Sequence, residues 1–291
     1  MLPRRALKWI ASGAVVGLAG LCIVALVSPR NRRYHLPDDA IAVLTDAVAI
    51  ARGKHLVEAV AVCTICHGDD LGGKLAFADP FLGQGYTANL TAGSGGIGQR
   101  YSRADWVRSI RYGVRPDGHG IIFMPSDYYN VISDADLGAI IAYLQSVPPV
   151  DNLRTAVELN PLARLLIDVG AFGDVVRATH IAMRAKRSPA PRDAGAYLVA
   201  LGGCTFCHGA SLTGGQGPEP GAPSAPDLTI GRASNRWSLA DFVAAMRDGI
   251  SRDGHAINPK YMPWLGYRNM SDDELLSIWR YLGSDTVPLS R

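Results

Sequence analysis

The sequence predicts an all-α protein, two tandem helical units behind an N-terminal transmembrane helix. Three observations carry the prediction. The pattern C-x-x-C-H occurs twice, as Cys63-Thr64-Ile65-Cys66-His67 and Cys204-Thr205-Phe206-Cys207-His208. Around each copy the chain repeats one ordered set of helix signals. Ahead of both lies Trp9 to Val27, an apolar run without a charge.

That run is long enough to cross a bilayer as a helix, and Arg4, Arg5, Lys8 and Arg30 flank it. A cleaved signal peptide would want a small residue at its exit, where Val27 stands. Residues 1–33 are therefore expected to be an uncleaved membrane anchor.

Residues 41–147 and 193–288 are the two units. Gly53 answers Gly195, each opening the run into its C-x-x-C-H pattern. Asn89-Leu90-Thr91 answers Asp227-Leu228-Thr229. Ser102-x-x-Asp105 and Ser238-x-x-Asp241 are capping boxes with Asp in place of Glu. The helices they start are predicted to stop at Gly113 and Gly249. Met124-Pro125 and Met262-Pro263 follow, each ahead of a second cap (Ser133, Ser271) and an amphipathic final helix holding Tyr143 or Tyr281. Residues 148–192 differ in kind. Pro161 to Ile181 reads as helical pieces that pack between the units, and Arg184 to Arg192 as a basic, Pro-rich linker.

C-x-x-C-H is the attachment signature of a c-type haem. Two thiols one helical turn apart can each form a thioether to a vinyl group, and the adjacent imidazole reaches the iron. A zinc ribbon would need its second Cys pair far closer than this one. A thioredoxin-like redox pair would need a βαβ setting that neither copy has. We therefore expect two covalently attached haem c groups, on Cys63, Cys66, Cys204 and Cys207, with His67 and His208 as iron ligands.

Met124 and Met262 are the expected distal ligands. Methionine is more often core filler, but Met246 and Met270 align with Ile110 and Ile132, whereas these two recur as Met before Pro. His119 and His255, in recurring Asp-Gly-His turns, are the rival pair. His55 reads as a packed or surface residue. The ring N–H of His67 needs an acceptor to fix its orientation, and the Pro80 carbonyl is the expected one. Tyr101 and Trp237 occupy matching places where an aromatic polar tip could meet a propionate, or simply pack.

The net charge of +3 comes from the first 33 residues, which hold six bases and no acid; the rest has 23 basic against 26 acidic residues. That balance disfavours a nucleic-acid partner.

These motifs make each unit resemble a class I c-type cytochrome, in which Gly53 with Tyr143, and Gly195 with Tyr281, would sit where the first and last helices cross. The tandem pair is similar to the cytochrome subunits of membrane-bound alcohol and gluconate dehydrogenases, and to dihaem cytochromes of respiratory or photosynthetic complexes. The resemblance implies a membrane-anchored dihaem cytochrome that relays single electrons. Its donor would be a quinol-oxidising or dehydrogenase complex, its acceptor an oxidase or photo-oxidised centre. Either a shuttle or a permanent subunit of a membrane redox complex fits. Since c-type haem is attached outside the bacterial cytoplasmic membrane, the haem units are expected on the periplasmic side. The rival class is an enzyme, a peroxidase or thiosulfate-oxidising dihaem protein, which would need an open or unusually ligated iron. No catalytic residue is expected.

Overall fold

The computed structural model describes residues 20, 28, 30–36, 39–154, 156–171, 175–176, 190–217, 221–230 and 237–283. In chain order the first unit runs α1 (Ala47–His55), a π-helical turn (Leu56–Val60), α2 (Cys63–His67), β1 (Leu75–Asp79), β2 (Gly83–Tyr86), α3 (Arg103–Tyr112), α4 (Ser126–Tyr129) and α5 (Asp134–Ser146). Then come β3 (Val157–Leu159) and α6 (Pro161–Asp168). The second unit runs α7 (Ala194–Leu201), α8 (Thr205–His208), α9 (Leu239–Asp248), α10 (Trp264–Tyr267) and α11 (Asp272–Leu282).

The helix ends follow from local chemistry. Asp46 caps α1 by accepting from Val48 and Ala49 N–H, and Asp193 caps α7 through Ala196 N–H. Ser102 and Ser238 form complete capping boxes with Asp105 and Asp241, so two orphan donors are satisfied at each start. Gly113 (φ 64°) and Gly249 (φ 65°) close α3 and α9 in the left-handed conformation that glycine adopts without a steric cost.

Each unit is built on the packing of its first helix against its last, α1 on α5 and α7 on α11. A side chain at Gly53 would collide with the Ala139 carbonyl oxygen, and one at Gly195 with that of Ser277. The two units share one buried core, with Leu56, Val60, Leu137 and Ile141 from the first and Leu201, Leu275 and Leu282 from the second. Arg111, fully buried at the end of α3, anchors the first unit by pairing with Asp39 at 2.6 Å and Asp134 at 2.9 Å.

The all-α expectation needs correction, because β1, β2 and β3 form a three-stranded antiparallel sheet in that order. Asp79 folds the hairpin, its carboxylate accepting from Phe81 and Leu82 N–H at 2.8 Å each. The middle strand is poor in strand-forming side chains, which hid it from pattern reading. Its glycines are there for space: a Cβ on Gly85 would strike the Phe77 ring. In the second unit the corresponding place holds only the bridge between Gly215 and Ala225 among the described residues.

The third strand comes from the segment expected as a linker. Residues 157–168 pack on the first unit's hairpin, with Leu159, Ala163 and Ile167 against Phe77, Leu82 and Val175. Asn89 Nδ2 and Thr91 Oγ1 fasten the segment by donating to Val150 O.

The transmembrane helix, and with it the single-pass membrane location facing the periplasm, is also withdrawn. Among the described residues no helix is long and apolar enough to cross a membrane. A spanning helix needs about 20 residues, and the longest described helix, α5, has 13. Trp9 to Val27 lies, apart from Gly20, outside the described residues.

Candidate haem-attachment sites

Both C-x-x-C-H patterns are single helical turns set off by a break. Val62, with φ 44°, is in the left-handed region immediately before Cys63, and Gly203 (φ 67°) takes the same place before Cys204. A β-branched residue there is strained, so the first turn is held against a local cost by its surroundings. After the motif the two loops share a set of hydrogen bonds. Gly73 N–H donates to His67 O at 2.8 Å and Gly214 N–H to His208 O at 3.0 Å. Leu90 N–H donates to Leu71 O, and Leu228 N–H to Leu212 O, both at 2.8 Å. Asn89 and Asp227 each accept from the Thr two residues on, Thr91 and Thr229.

This loop sets the histidines. His67 Nδ1 lies 2.8 Å from Ala88 O, and His208 Nδ1 lies 2.9 Å from Pro226 O. A carbonyl can only accept, so each Nδ1 carries the proton and Nε2 keeps its lone pair for a metal. The expected Pro80 carbonyl is therefore wrong for His67: it sits on the hairpin turn and accepts from Asn160 Nδ2 at 3.1 Å. The acceptors that sequence reasoning missed, Ala88 and Pro226, stand directly before Asn-Leu-Thr and Asp-Leu-Thr. That shared register was the available signal.

Burial lowers the basicity of both imidazoles, although the carbonyl contacts oppose it, so both stay neutral and fit for ligation. Burial likewise pushes the Cys63 thiol up to about 12 and that of Cys204 to about 11. Cys66 and Cys207 are raised for the same reason. Such surroundings favour neutral sulfur, as in a thioether, over the thiolates that zinc requires. The donor set thus fits a covalently held haem. The indole N–H of Trp106, 1% exposed, has no acceptor among the described residues. Tyr101 packs edge-on against that ring, centroids 5.4 Å apart. Trp237 is half-buried against the core.

Met124 and Met262 are half-buried at the margin of the same core that Cys63 and Cys204 line. Their loops share one conformation: Pro125 has φ −81° and ψ 54°, Pro263 φ −79° and ψ 51°. Two tyrosines tie these loops to the attachment turns. Tyr129 OH donates to Ala61 O at 3.1 Å, and Tyr267 OH to Gly202 O at 2.6 Å. Neither was singled out in the sequence, though M-P-x-x-x-Y recurs in it. The rival histidines lie in tight turns, with Arg115 N–H donating to His119 O and Ser251 N–H to His255 O. His255 is exposed, and the His119 ring faces Asp117 at 3.3 Å.

Residues 48–144 match the family cytochrome c oxidase, cbb3-type, subunit III. The chain is 29% identical to the gluconate 2-dehydrogenase cytochrome c subunit of Pantoea cypripedii, over 90% of its length and 64% of the relative's. For the fructose dehydrogenase cytochrome subunit of Gluconobacter japonicus the values are 29%, 72% and 47%. For the cytochrome c subunit of the quinone-dependent alcohol dehydrogenase of Gluconobacter oxydans they are 27%, 82% and 55%. The chain thus spans between about half and two thirds of these relatives' lengths. With its two attachment turns and this set of relatives, the chain is similar to the cytochrome c subunits of dehydrogenases, and haem c is the cofactor that the likeness implies.

Proposed function

We propose that the chain is an electron-transfer subunit carrying two covalently bound haem c groups, which passes single electrons from a dehydrogenase towards an oxidase-side acceptor. One observation supports this most: two attachment turns built alike, each with its imidazole oriented by a carbonyl, lie in one chain. Bound haem supplies a one-electron couple. The chain's own part is to hold it. Cys63, Cys66, Cys204 and Cys207 anchor it covalently, and His67 and His208 present Nε2. Met124 and Met262 would supply the second ligand at each iron. A thioether there favours the reduced iron and raises the potential. Tyr101 and Trp237 are the aromatic residues expected to meet the haem propionates.

The test is an optical redox titration of the purified holoprotein together with its haem content. Two haems per chain, both showing the weak far-red band of methionine-ligated ferric haem and both of high potential, are expected. A haem that lacks the band and reacts with peroxide would overturn the relay in favour of an enzyme.

A further inference from the structure

The two units meet through equivalent positions used reciprocally. His55 on α1 and Tyr197 on α7 correspond in the repeat, and so do Asp136 on α5 and Glu274 on α11. His55 Nε2 lies 2.8 Å from Glu274 of the second unit, and Tyr197 OH donates to Asp136 of the first at 2.7 Å. Each unit thus offers a ring donor from its first helix to an acid at the start of the other's last helix. Tyr197 OH also accepts from Ser133 N–H at 3.3 Å. Arg52 joins the arms, at 3.0 Å from Asp136 and 3.7 Å from Glu274.

The same exchange brings the attachment turns together. Phe206, inside the second C-x-x-C-H, meets Tyr128 of α4 edge-on, with centroids 6.2 Å apart. Ile65, its counterpart in the first motif, lies over Gly266 of α10, the counterpart of Tyr128. A Cβ on Gly266 would come within 2.6 Å of Val62 Cγ1 and 3.1 Å of Ile65 Cδ1. Tyr267, beside Gly266, donates its hydroxyl to Gly202 O ahead of the second turn. Each attachment turn therefore touches the other unit's Met-Pro helix on one side, Phe206 remaining half exposed.

We propose that His55–Glu274 and Tyr197–Asp136 form a two-armed clasp whose residues position the two haem-attachment turns against each other, setting electron exchange between the haems of one chain. The proposal rests on the two-haem reading above. None of the four residues touches the haem in this role; they act by fixing how the units meet. Two arms at separate points resist the rotation about a single contact that one arm alone would leave free.

The test compares the full-length holoprotein with the double variant His55→Phe, Tyr197→Phe. These changes remove one donor from each arm, keep ring-sized volume and leave the acids at their helix caps. The readouts are haem content, the concentration-independent redistribution of electrons between the haems after flash reduction, and haem–haem broadening in the electron paramagnetic resonance spectrum of the oxidised protein. A several-fold slower redistribution and reduced broadening at full haem content are expected. His55→Tyr, which copies the second unit's arm onto the first, should keep the wild-type rate. Unchanged redistribution and broadening in the double variant overturn the clasp while leaving the two-haem reading intact. A wild-type chain holding fewer than two haems overturns both.

Discussion

Gly53 and Tyr143 are in contact across the first unit, and Gly195 and Tyr281 repeat that contact in the second. The absent side chain lets α1 settle onto the backbone of α5, and α7 onto that of α11. Tyr143 OH then reaches back to donate to Glu58 at 2.7 Å.

Gly53→Ala and Gly195→Ala should therefore each force their helix pair apart, at a cost of about 1–3 kcal/mol from overpacking. Denaturant unfolding of the holoprotein measures this. Unchanged midpoints would show that the crossings are looser than the contacts imply.

Covalent attachment can be assigned motif by motif. Replacing Cys63 and Cys66 by Ser should halve the haem that stays with the chain on a denaturing gel, and replacing Cys204 and Cys207 should remove the other half. Full retention in either variant would break the assignment of that turn.

Met124→Ala and Met262→Ala should each abolish the far-red band of one haem and lower one potential, since a thioether is lost from one iron. If His119→Ala or His255→Ala produced that change instead, the distal ligands would have to be reassigned.

The Asp241 carboxyl is held below the ordinary carboxylate range by hydrogen bonds from the Ser238 backbone N–H and hydroxyl. A depressed folded-state value means that its contribution is complete above the ordinary range and is lost as pH falls through the folded value. Asp241→Ala should thus lower the thermal midpoint at neutral pH, and the gap from wild type should narrow on acidification. A gap that stays constant with pH would mean that the cap's charge contributes nothing. Ser102→Ala tests the matching cap of the first unit and should cost about 1 kcal/mol.

Much of the molecule was legible in the chain because its determinants are local. C-x-x-C-H needs only one helical turn to present two thiols and an imidazole. Ser102 with Asp105, and Ser238 with Asp241, set helix starts within four residues, and Gly113 and Gly249 end those helices by their own backbone freedom. The repeat made these signals stronger, since Met124 and Met262 stood out from Met246 and Met270 only by recurring. The hairpin was not legible: Gly83 and Gly85 argue against a strand until Phe77 and Glu158 are seen to fill the space above them. The apolar run from Trp9 to Val27 showed the opposite limit, because hydropathy states what a segment can do without showing the helix that would do it.

By itself, then, the sequence determined the two C-x-x-C-H turns, the histidine beside each, the capped helices and the tandem order, all of which depend on residues a few positions apart. Tertiary structure decided which carbonyl orients His67, that Tyr129 and Tyr267 bind the Met loops to the attachment turns, and that His55 and Tyr197 cross to acids of the opposite unit. In each of these a donor and acceptor distant in the chain meet only after the helices have packed. A polar side chain carries its hydrogen-bonding capacity in its formula, but its partner is chosen by which surfaces are buried together.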